Sequence, residues 1–471
     1  MPLILGTNSI KDTGYDVANS IRFDEASTTF LSKASFGTPT STKKSTVSFW
    51  CKRSLIEEGI IFMNDSNTFP IAKIYFTSAH TFSYIEFDPS VYLERTTNAV
   101  FKDLSAWSHF VVAVDTTQGT ADNRVKIYHN GTQITSFSAS TTPAQDSNVI
   151  INNNLRTGIG GTGSSGGDGF EGYVAELVRI DGQALDPTSF GEFDEDSNIW
   201  KPKDVSGLTF GTNGFYLDFE NSAELGTDVS GASNTFTENN LTAEHQSTDT
   251  CTNNFATFNP LFPTAGTSAF SEGNLKLVAS GSAGSGLSSF GLSKGKWYME
   301  VKQTAVNEPL GNGESGICVV GDPTGNLGNV EGTAFAYGIR NHNGTKFENT
   351  STATSWHGNW TAGDIISVAL DMDNHRVYFA KNGQYADGSG NWDEAFTGSP
   401  AHISLSTAKT DYFLAMSQLH SSATETYELN FGSPSFSISS GNSDADGHGN
   451  FEYSVPSGYF ALNTKNLSEY G

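Results

Sequence analysis

The sequence predicts an all-β protein built from antiparallel β-sandwiches, and three observations lead to this fold class. Apolar and polar residues alternate over short runs, whereas long stretches with the helical period of 3.6 are hard to find. Aromatic residues make up 12% of the chain, and 49 Gly supply frequent turns. Only 16% of the residues are charged, which disfavours coiled coils and helical bundles. At roughly 150 residues per domain, 471 residues allow two large domains or three small ones.

The individual strands follow from this alternation. The clearest period-2 runs are residues 47–51, 110–114, 297–301 and 366–370. In the first run Val47, Phe49 and Cys51 would share one face, because successive side chains of a strand point to opposite faces. Clusters of Gly, Asn and Asp separate such runs, as is typical of antiparallel sandwiches.

Two segments of the chain resemble each other. Residues 112–131 and 368–383 both read as strand, turn, strand, Asn-Gly, strand. Asn130-Gly131 and Asn382-Gly383 supply the two positive-φ residues of a type I′ hairpin. We therefore predict two three-stranded meanders and halves of similar architecture, with two coincident hairpins as the alternative.

Composition divides the chain into four parts. We predict a β-sandwich over 1–190, a connector over 191–264, a second sandwich over 265–433 and a C-terminal tail over 434–471. The connector is acidic and then polar. Its aromatic segment at 210–219 is too apolar for a free linker, so we expect the connector to be partly packed. The tail carries scattered aromatic residues and should pack against another part of the protein.

Charge and cysteine content exclude several classes of function. The net charge is −25, and no basic cluster is longer than Lys43-Lys44, so nucleic acid is a poor partner. The three widely spaced cysteines form neither a disulfide framework nor a zinc ribbon. The N-terminal run is too short for a signal peptide and no stretch has the length of a membrane span, so we expect no classical secretion and no membrane insertion.

The second half resembles a SPRY domain. The resemblance is carried by 295–301, 363–371, the strand that ends in Asn382-Gly383, and 428–432. The first half is similar to laminin-G-like and concanavalin A-like jelly rolls through 48–54 and 170–177. The resemblance implies two concanavalin-type antiparallel β-sandwich domains, the second of which binds partners through its rim loops. A Gly-rich insert near 321–332 departs from the SPRY pattern.

The combination of both halves with the connector resembles structural proteins of tailed phages of marine bacteria. This resemblance implies a non-enzymatic virion protein on a tail fibre or on the particle surface. Its expected partners are other virion proteins and a carbohydrate or protein of the host surface, and it is expected to form a homotrimer. The alternatives are a capsid decoration protein with a stabilising role and a concanavalin-fold glycan hydrolase.

Aromatic residues in the SPRY loops are the candidate ligand-binding residues. Trp356 and Trp360 lie in one short polar segment, and exposed Trp stacks on sugar rings or anchors protein partners. Either Trp could instead plug the edge of the sandwich. Tyr337 and Arg340 precede a turn that could share the same rim.

A calcium site is a second candidate. Asn442, Asp444 and Asp446 occupy positions 1, 3 and 5 of a calcium loop, with Gly447 at position 6. The twelfth position, which should be a bidentate Glu, is Tyr453. A polar turn is the alternative, so Ca²⁺ is a possible cofactor and no other cofactor is expected.

Two further motifs are weak. Glu192, Asp194 and Asp196 would face one way on a strand, as in concanavalin-type glycosidases, but the last position should be Glu. A solvated acidic connector is the alternative. The Gly-rich residues 161–167 match the GxGxxG and GxSxG patterns, but a strand and not a helix follows, which favours a plain loop.

Overall fold

The chain divides into two compact units. The structure, a computed structural model, describes residues 13–24, 28–66, 68–262, 266–281, 284–306, 315–321, 323, 335–341, 344–349, 351–356, 358–387, 389, 391–398, 402–418 and 424–471. The first unit spans Asp12–Asn254, and Phe255–Gly471 belongs to the second. No helix among these residues is long and apolar enough to cross a membrane.

The first unit is built almost wholly from strands. They are β1 (Ser20–Phe23), β2 (Phe30–Lys33), β3 (Lys44–Arg53), β4 (Gly59–Asp65), β5 (Ile71–Phe76), β6 (Thr81–Phe87), β7 (Val91–Val100), β8 (Ser108–Asp115), β9 (Val125–His129), β10 (Thr132–Ile134), β11 (Phe137–Thr141), β12 (Arg156–Ile159), β13 (Gly172–Asp181), β14 (Gly191–Phe193), β15 (Trp200–Pro202), β16 (Phe215–Leu217), β17 (Thr237–Asn239) and β18 (Gln246–Ser247). Single 3₁₀ turns lie at Ala121–Asn123, Pro187–Ser189 and Ala243–His245.

Two antiparallel sheets face each other in this unit. One has the order β10-β9-β8-β3-β13-β1-β18, with β16 also pairing with β13. The other has the order β11-β7-β6-β5-β4-β12-β2-β17. Phe82 of β6 stacks on Phe110 of β8 with ring centroids 4.3 Å apart, and both rings are buried in the core between the sheets. The predicted sandwich is therefore present.

The connector of the sequence prediction belongs to the first unit up to residue 254. Its strands β16, β17 and β18 pair with β13, β2 and β1. Phe215 and Leu217 enter the core between the sheets, whereas Tyr216 packs on the outer face of its sheet. The apolar segment at 210–219 therefore forms part of the sandwich. The sequence predicts domain boundaries at 190 and 264, whereas the structure has one boundary, after residue 254.

The described residues of the second unit form the remaining strands and one short helix. They are β19 (Thr267–Ser271), β20 (Lys276–Ser280), β21 (Ser285–Leu287), β22 (Lys296–Val306), β23 (Ser315–Gly321), β24 (Ala336–Arg340), β25 (Thr345–Glu348), β26 (Ser351–Ser355), β27 (Ile365–Asp371), β28 (Arg376–Lys381), β29 (Gln384–Ala386), β30 (Trp392–Glu394), β31 (Ile403–Ser404), β32 (Tyr412–Gln418), β33 (Thr424–Asn430), β34 (Phe460–Ala461) and α1 (Thr464–Tyr470).

This unit is also a sandwich. The larger sheet has the order β19-β20-β33-β22-β27-β28-β29-β30, and β31 and β34 pair with β28 and β22. The smaller sheet has the order β21-β32-β23-β24-β25-β26. Val301 and Val368 of the larger sheet share one buried core with Ile317 and Leu414 of the smaller one. Most of the predicted Gly-rich insert at 321–332 lies outside the described residues.

The predicted tail packs onto the second unit. Strand β34 runs parallel to β22, with Trp297 opposite Phe460. Helix α1 begins after Asn463, whose side chain accepts a hydrogen bond from the backbone N–H of Asn466. Leu462 and Leu467 are buried in the sandwich core. Residues 434–471 are therefore part of this domain.

Both predicted meanders form. In the first unit β8, β9 and β10 pair in sequence, and in the second unit β27, β28 and β29 do the same. Asn130 and Gly131 have φ values of 45° and 76°, and Asn382 and Gly383 have 49° and 81°. These left-handed values are those that a type I′ turn requires, so the Asn-Gly pairs set the register of both hairpins.

Candidate functional site

The second unit carries an aromatic cavity of about 160 Å³ on the outer face of its larger sheet. Val377 and Phe379 of β28 point into the core, so Tyr378 between them points outwards. Five rings line the cavity: Trp356, Tyr378, Tyr385, Phe396 and His402. They come from four separate segments of the chain, which the sheet brings together.

The rings contact each other mostly edge to face. Phe396 lies 5.2 Å from Tyr378 and 5.0 Å from Tyr385, measured between ring centroids. His402 lies 5.4 Å from Tyr378 and 5.0 Å from Trp356. Such aromatic pairs are favourable beyond their buried area, so the walls of the cavity are already arranged before a ligand arrives.

The position of Trp356 is fixed by the hairpin of β25 and β26. Its backbone N–H donates to the carbonyl of Gly344 at 2.7 Å. The Lys346 ammonium lies 5.6 Å from the centre of its ring and donates to the carbonyl oxygen of His402 at 3.2 Å. Lys346 also forms an ion pair with Glu348 at 2.7 Å. Trp356 is half-buried and presents part of its ring to the cavity.

Polar groups complete the cavity. Asp387 and the exposed Glu394 both line it. The side chain of Asn391 and the backbone N–H groups of Ser389 and Asn391 donate to Asp387 and lower the pKa of its carboxyl. Tyr378 donates to the carbonyl of Gly398 at 2.6 Å. Aromatic faces together with carboxylates suit a ligand that has both an apolar face and hydroxyl groups.

The Tyr385 hydroxyl is a buried polar group of the cavity wall without a hydrogen bond to the described part of the chain. Tyr385 is 6% exposed, and no described residue forms a hydrogen bond with its buried hydroxyl. Burial and, to a lesser extent, the charge of Glu300 raise its pKa. The hydroxyl is therefore a neutral donor at physiological pH.

Trp360 is a core residue and not a binding residue, which corrects the first reading of the Trp pair. It is 2% exposed, and its indole N–H donates to the side-chain oxygen of Gln303 at 2.5 Å. Its backbone N–H donates to Asn341 at 2.8 Å. Trp360 therefore fills the edge of the sandwich, which is the alternative prediction for this pair. Trp356 lies in the wall of the cavity.

Tyr337 and Arg340 do not line the cavity that Trp356 lines. Tyr337 is 4% exposed and its ring lies 6.0 Å from that of Tyr412, within the sandwich core. Arg340 is half-buried at the end of β24 and does not line the cavity. Side chains alternate along β24, so Tyr337 points into the core together with Ile339.

The predicted calcium loop is a hydrogen-bonded turn. Both oxygens of Asp444 are occupied: one accepts from the N–H groups of Asp446 and His448, the other from Ala461 and the Asn466 side chain. Asp446 accepts from the Tyr470 hydroxyl at 2.8 Å. The amide nitrogen of Asn442, in contrast, donates to main-chain carbonyls. Asn442, Asp444 and Asp446 therefore hold turns within residues 434–471, as the polar-turn alternative predicts, and the calcium site stays a prediction.

In the acidic hairpin, Asp194 lacks the raised pKa that the general acid of a glycosidase needs. Glu192 and Asp194 both pair with Lys201, on the two-stranded sheet of β14 and β15. The N–H and hydroxyl of Ser197 hold the pKa of Asp194 at about 2. A glycosidase acid needs a raised pKa. These contacts agree better with the alternative prediction, a solvated acidic segment. The segment, including Asp196, belongs to the first unit and not to a connector.

The other sequence motifs have structural roles. The Gly-rich residues 161–167 form a turn between β12 and β13, with the N–H of Thr162 donating to the carbonyl of Gly167 at 3.1 Å. The cysteines are free thiols, and Cys51 and Cys318 are buried.

Of the rings around the cavity, only Trp356 is a candidate binding residue from its sequence. Tyr378 lies in the second predicted meander, where it alternates with the core residues Val377 and Phe379, and Tyr385 follows on the next strand. An aromatic residue on the outer face of a strand is a signal that this face is covered or binds a ligand. Phe396 and His402 gave no such signal, because they belong to irregular segments.

Comparison with known proteins supports both domains. Residues 25–189 match the family model of the Concanavalin A-like lectin/glucanases superfamily, and residues 296–397 match that of the SPRY domain. The predicted order, a concanavalin-like sandwich followed by a SPRY-like sandwich, is confirmed. Domains of these two kinds are typically binding modules. No curated protein matches the chain significantly.

Solved structures similar to parts of the chain include two SPRY-type domains and a pentraxin. The SPRY domain of human HERC1 is 22% identical, covering 36% of this chain and 96% of its own, with a TM-score of 0.28. The heptameric SAP-like pentraxin from Limulus polyphemus is 17% identical, covering 36% and 79%, with a TM-score of 0.27. The TRIM65 PSpry domain is 11% identical, covering 37% and 91%, with a TM-score of 0.25.

Proposed function

We propose that the protein is a non-enzymatic binding protein whose aromatic cavity around Trp356 holds a terminal sugar of a surface glycan. The observation that carries the proposal is the meeting of five rings and two carboxylates around one cavity. The apolar face of a sugar ring packs on aromatic side chains, and its hydroxyls donate to carboxylates. The volume of about 160 Å³ is below the roughly 300–1,000 Å³ of pockets for larger ligands, which favours a single ring.

We further propose that the protein is exposed on a phage particle, on a tail fibre or on the particle surface, and contacts other virion proteins. The support is the resemblance of both halves and the connector to structural proteins of tailed marine phages. A homotrimer would raise the avidity of weak single sites without any new contact. Light scattering that finds a stable monomer would contradict the trimer.

The binding proposal is tested with the Trp356→Ala variant. The full-length protein is screened on a glycan array, and the strongest glycan is then titrated. Removing the Trp ring should weaken binding about tenfold or more, since a buried aromatic anchor contributes on the order of 2 kcal/mol. Leu261→Ala truncates an exposed apolar side chain of the same unit outside the cavity and should bind like the wild type. Equal affinity of Trp356→Ala and wild type, or no glycan bound, overturns the proposal.

Position on the particle is tested separately. Antibody against the chain is applied to purified virions of the source phage and viewed by electron microscopy. Label at tail or fibre tips supports host attachment, whereas even label over the head indicates capsid decoration. Absence of label from the particle contradicts the virion assignment.

A further inference from the structure

The first unit contains a second cavity, of about 310 Å³, at one end of its sandwich. The ends of β3, β5 and β9, the start of β8 and the segment 100–107 enclose it. This volume is within the roughly 300–1,000 Å³ range of small-molecule pockets. The cavity belongs to a different unit from the aromatic cavity around Trp356, so the inference does not depend on the proposed function.

Five rings line it: Phe76, Phe101, Trp107, Phe110 and His129. Phe76 lies 5.7 Å from Phe110 and 6.1 Å from Phe101, measured between centroids. Phe101 and Phe110 lie 5.1 Å apart, and His129 is 5.0 Å from Phe101. Burial lowers the pKa of His129 to about 4, so this ring is neutral at physiological pH. The walls therefore suit an apolar or aromatic body.

Arg53 adds a buried positive charge. Its side chain is almost fully buried, and the guanidinium lies 4.4 Å from the centre of the Phe76 ring. Two of its five donors are used: Nη1 donates to the carbonyl of Phe101 at 2.6 Å and Nη2 to that of Glu57 at 2.7 Å. Among the described residues, no carboxylate forms an ion pair with Arg53.

The nearby groups do not neutralise this charge. Burial raises the pKa of the Cys51 thiol to about 12, so this neighbour is uncharged. Asp103 also lines the cavity; one of its oxygens accepts from the N–H and hydroxyl of Ser105 at 2.8 and 2.7 Å, and the carboxylate forms no ion pair with Arg53 among the described residues. Lys102 lines the cavity and is exposed. Burying a cation without an anionic partner is costly, and a bound anion would remove that cost.

We propose that this cavity binds a small amphipathic carboxylate, with its apolar or aromatic body between the phenylalanine rings and its carboxylate on Arg53. A planar guanidinium recognises a carboxylate through two parallel N–H···O bonds, which a neutral group of the same shape cannot reproduce. Lys102 at the surface would add attraction during entry.

The test compares a carboxylate with its neutral analogue. Full-length protein is titrated calorimetrically with 4-phenylbutyrate and with 4-phenylbutyramide, which has the same body without the charge. The carboxylate should bind, and the amide should bind about tenfold more weakly or not at all, since hydrogen bonds between charged groups are the stronger ones. Absence of 4-phenylbutyrate binding, or equal affinity for both compounds, overturns the proposal.

Variants locate the binding. Ala106→Trp places a bulky side chain in the cavity wall and should abolish binding of 4-phenylbutyrate. Ala121→Trp makes the same change at an exposed position of this unit and should leave binding unchanged. Arg53→Met should reduce the preference for the carboxylate, whereas Arg53→Lys should retain part of it. If Arg53→Met does not fold, the proposal is still tested by the binding of 4-phenylbutyrate to Ala106→Trp and by the comparison of the two ligands on the wild type. Unchanged binding in Ala106→Trp overturns the proposal.

Discussion

Glu86 is a buried carboxylate that holds a distant loop in the first unit. It accepts hydrogen bonds from the Tyr84 and Tyr92 hydroxyls and from the backbone N–H groups of Ile150 and Ile151, the last two at 2.8 Å each. Burial raises its pKa, while these four donors act in the opposite direction. A buried acceptor of this kind is costly to remove, because four donors would lose their partner.

Glu300 repeats this arrangement in the second unit. Its carboxylate accepts from the Tyr298 hydroxyl at 3.1 Å and from the backbone N–H groups of Glu452 and Tyr453 at 3.0 and 2.8 Å. Asn430 is the fourth donor. In both units a Tyr lies two residues before the Glu and therefore on the same face of the strand. The Glu of this Tyr-x-Glu pattern accepts hydrogen bonds from two consecutive backbone N–H groups of a distant segment.

Glu176 should make stability depend on pH between about 4.5 and 7. Burial, with the nearby Asp218 and Glu220, raises its pKa from 4.5 to about 7, although the Tyr216 and Tyr15 hydroxyls donate to it. Because the folded-state pKa is raised, the stabilisation by its neutral form is complete below pH 4.5 and is lost as the pH rises through 7.

The Glu176→Gln variant isolates this contribution. Urea unfolding of wild type and variant is compared at several pH values. The free energy of unfolding of the wild type, relative to the variant, should fall by at most about 3 kcal/mol from pH 4.5 to above 7. Parallel curves across this interval would contradict the assignment.

At the scale of elements, the Asn-Gly hairpin of the first unit depends on its glycine for two reasons. Gly131 has a φ of +76°, and an added Cβ would lie 2.4 Å from the Trp200 ring. Trp200 cannot move away freely, because its indole N–H donates to His109 at 3.0 Å. The turn and the adjacent hairpin of β14 and β15 are therefore packed together.

Gly131→Ala should destabilise the protein by about 3 kcal/mol, from backbone strain and the clash with Trp200 together. Gly231→Ala is the matched control: its φ is +84°, but no described atom lies within 4 Å of the added Cβ. This control should cost only about 1 kcal/mol of backbone strain. Chemical denaturation measures both variants, and equal losses would show that the Trp200 contact has no energetic weight.

The sequence predicted the long strands well because their pattern is local. Alternation over 44–53 and 365–371 and the Asn-Gly pairs depend only on neighbouring residues. Strands β16 to β18 have two or three residues each, too short to show a period, and β18 pairs with Ser20 and Ile21 far away in the sequence. The first unit was therefore predicted to end too early.

The candidate site was less predictable than the fold. Trp356 and Trp360 share one short polar segment, and contacts with distant residues, such as that of Trp360 with Gln303, 57 residues earlier, distinguish the buried ring. The remaining rings come from segments whose meeting point depends on the completed sheet. The hydrogen bonds of Asp444 could not be predicted either, because its donors include residues 461 and 466, which the spacing of a loop motif does not include.

At the scale of the whole molecule, the excess of acidic residues should make stability depend on salt. The net charge is −25, and such a charge repels itself in the compact state. Raising NaCl from about 0.01 to 0.5 M shortens the screening length from roughly 30 Å to a few Å, so the thermal midpoint at pH 7 should rise. Near pH 4.6, the isoelectric point, the same salt increase should have little effect. An equal shift at both pH values would contradict a charge origin.

The parallel pairing of β34 with β22 has a consequence for the order in which the protein is made. The first unit has all its strands once residue 254 has left the ribosome, so it can fold while the rest is still being translated. The second unit needs Leu462 and Leu467 to fill a core that already includes Trp297. Nascent chains stalled before residue 460 should therefore hold a finished first domain and an incomplete second one, with apolar surface for a chaperone to cover.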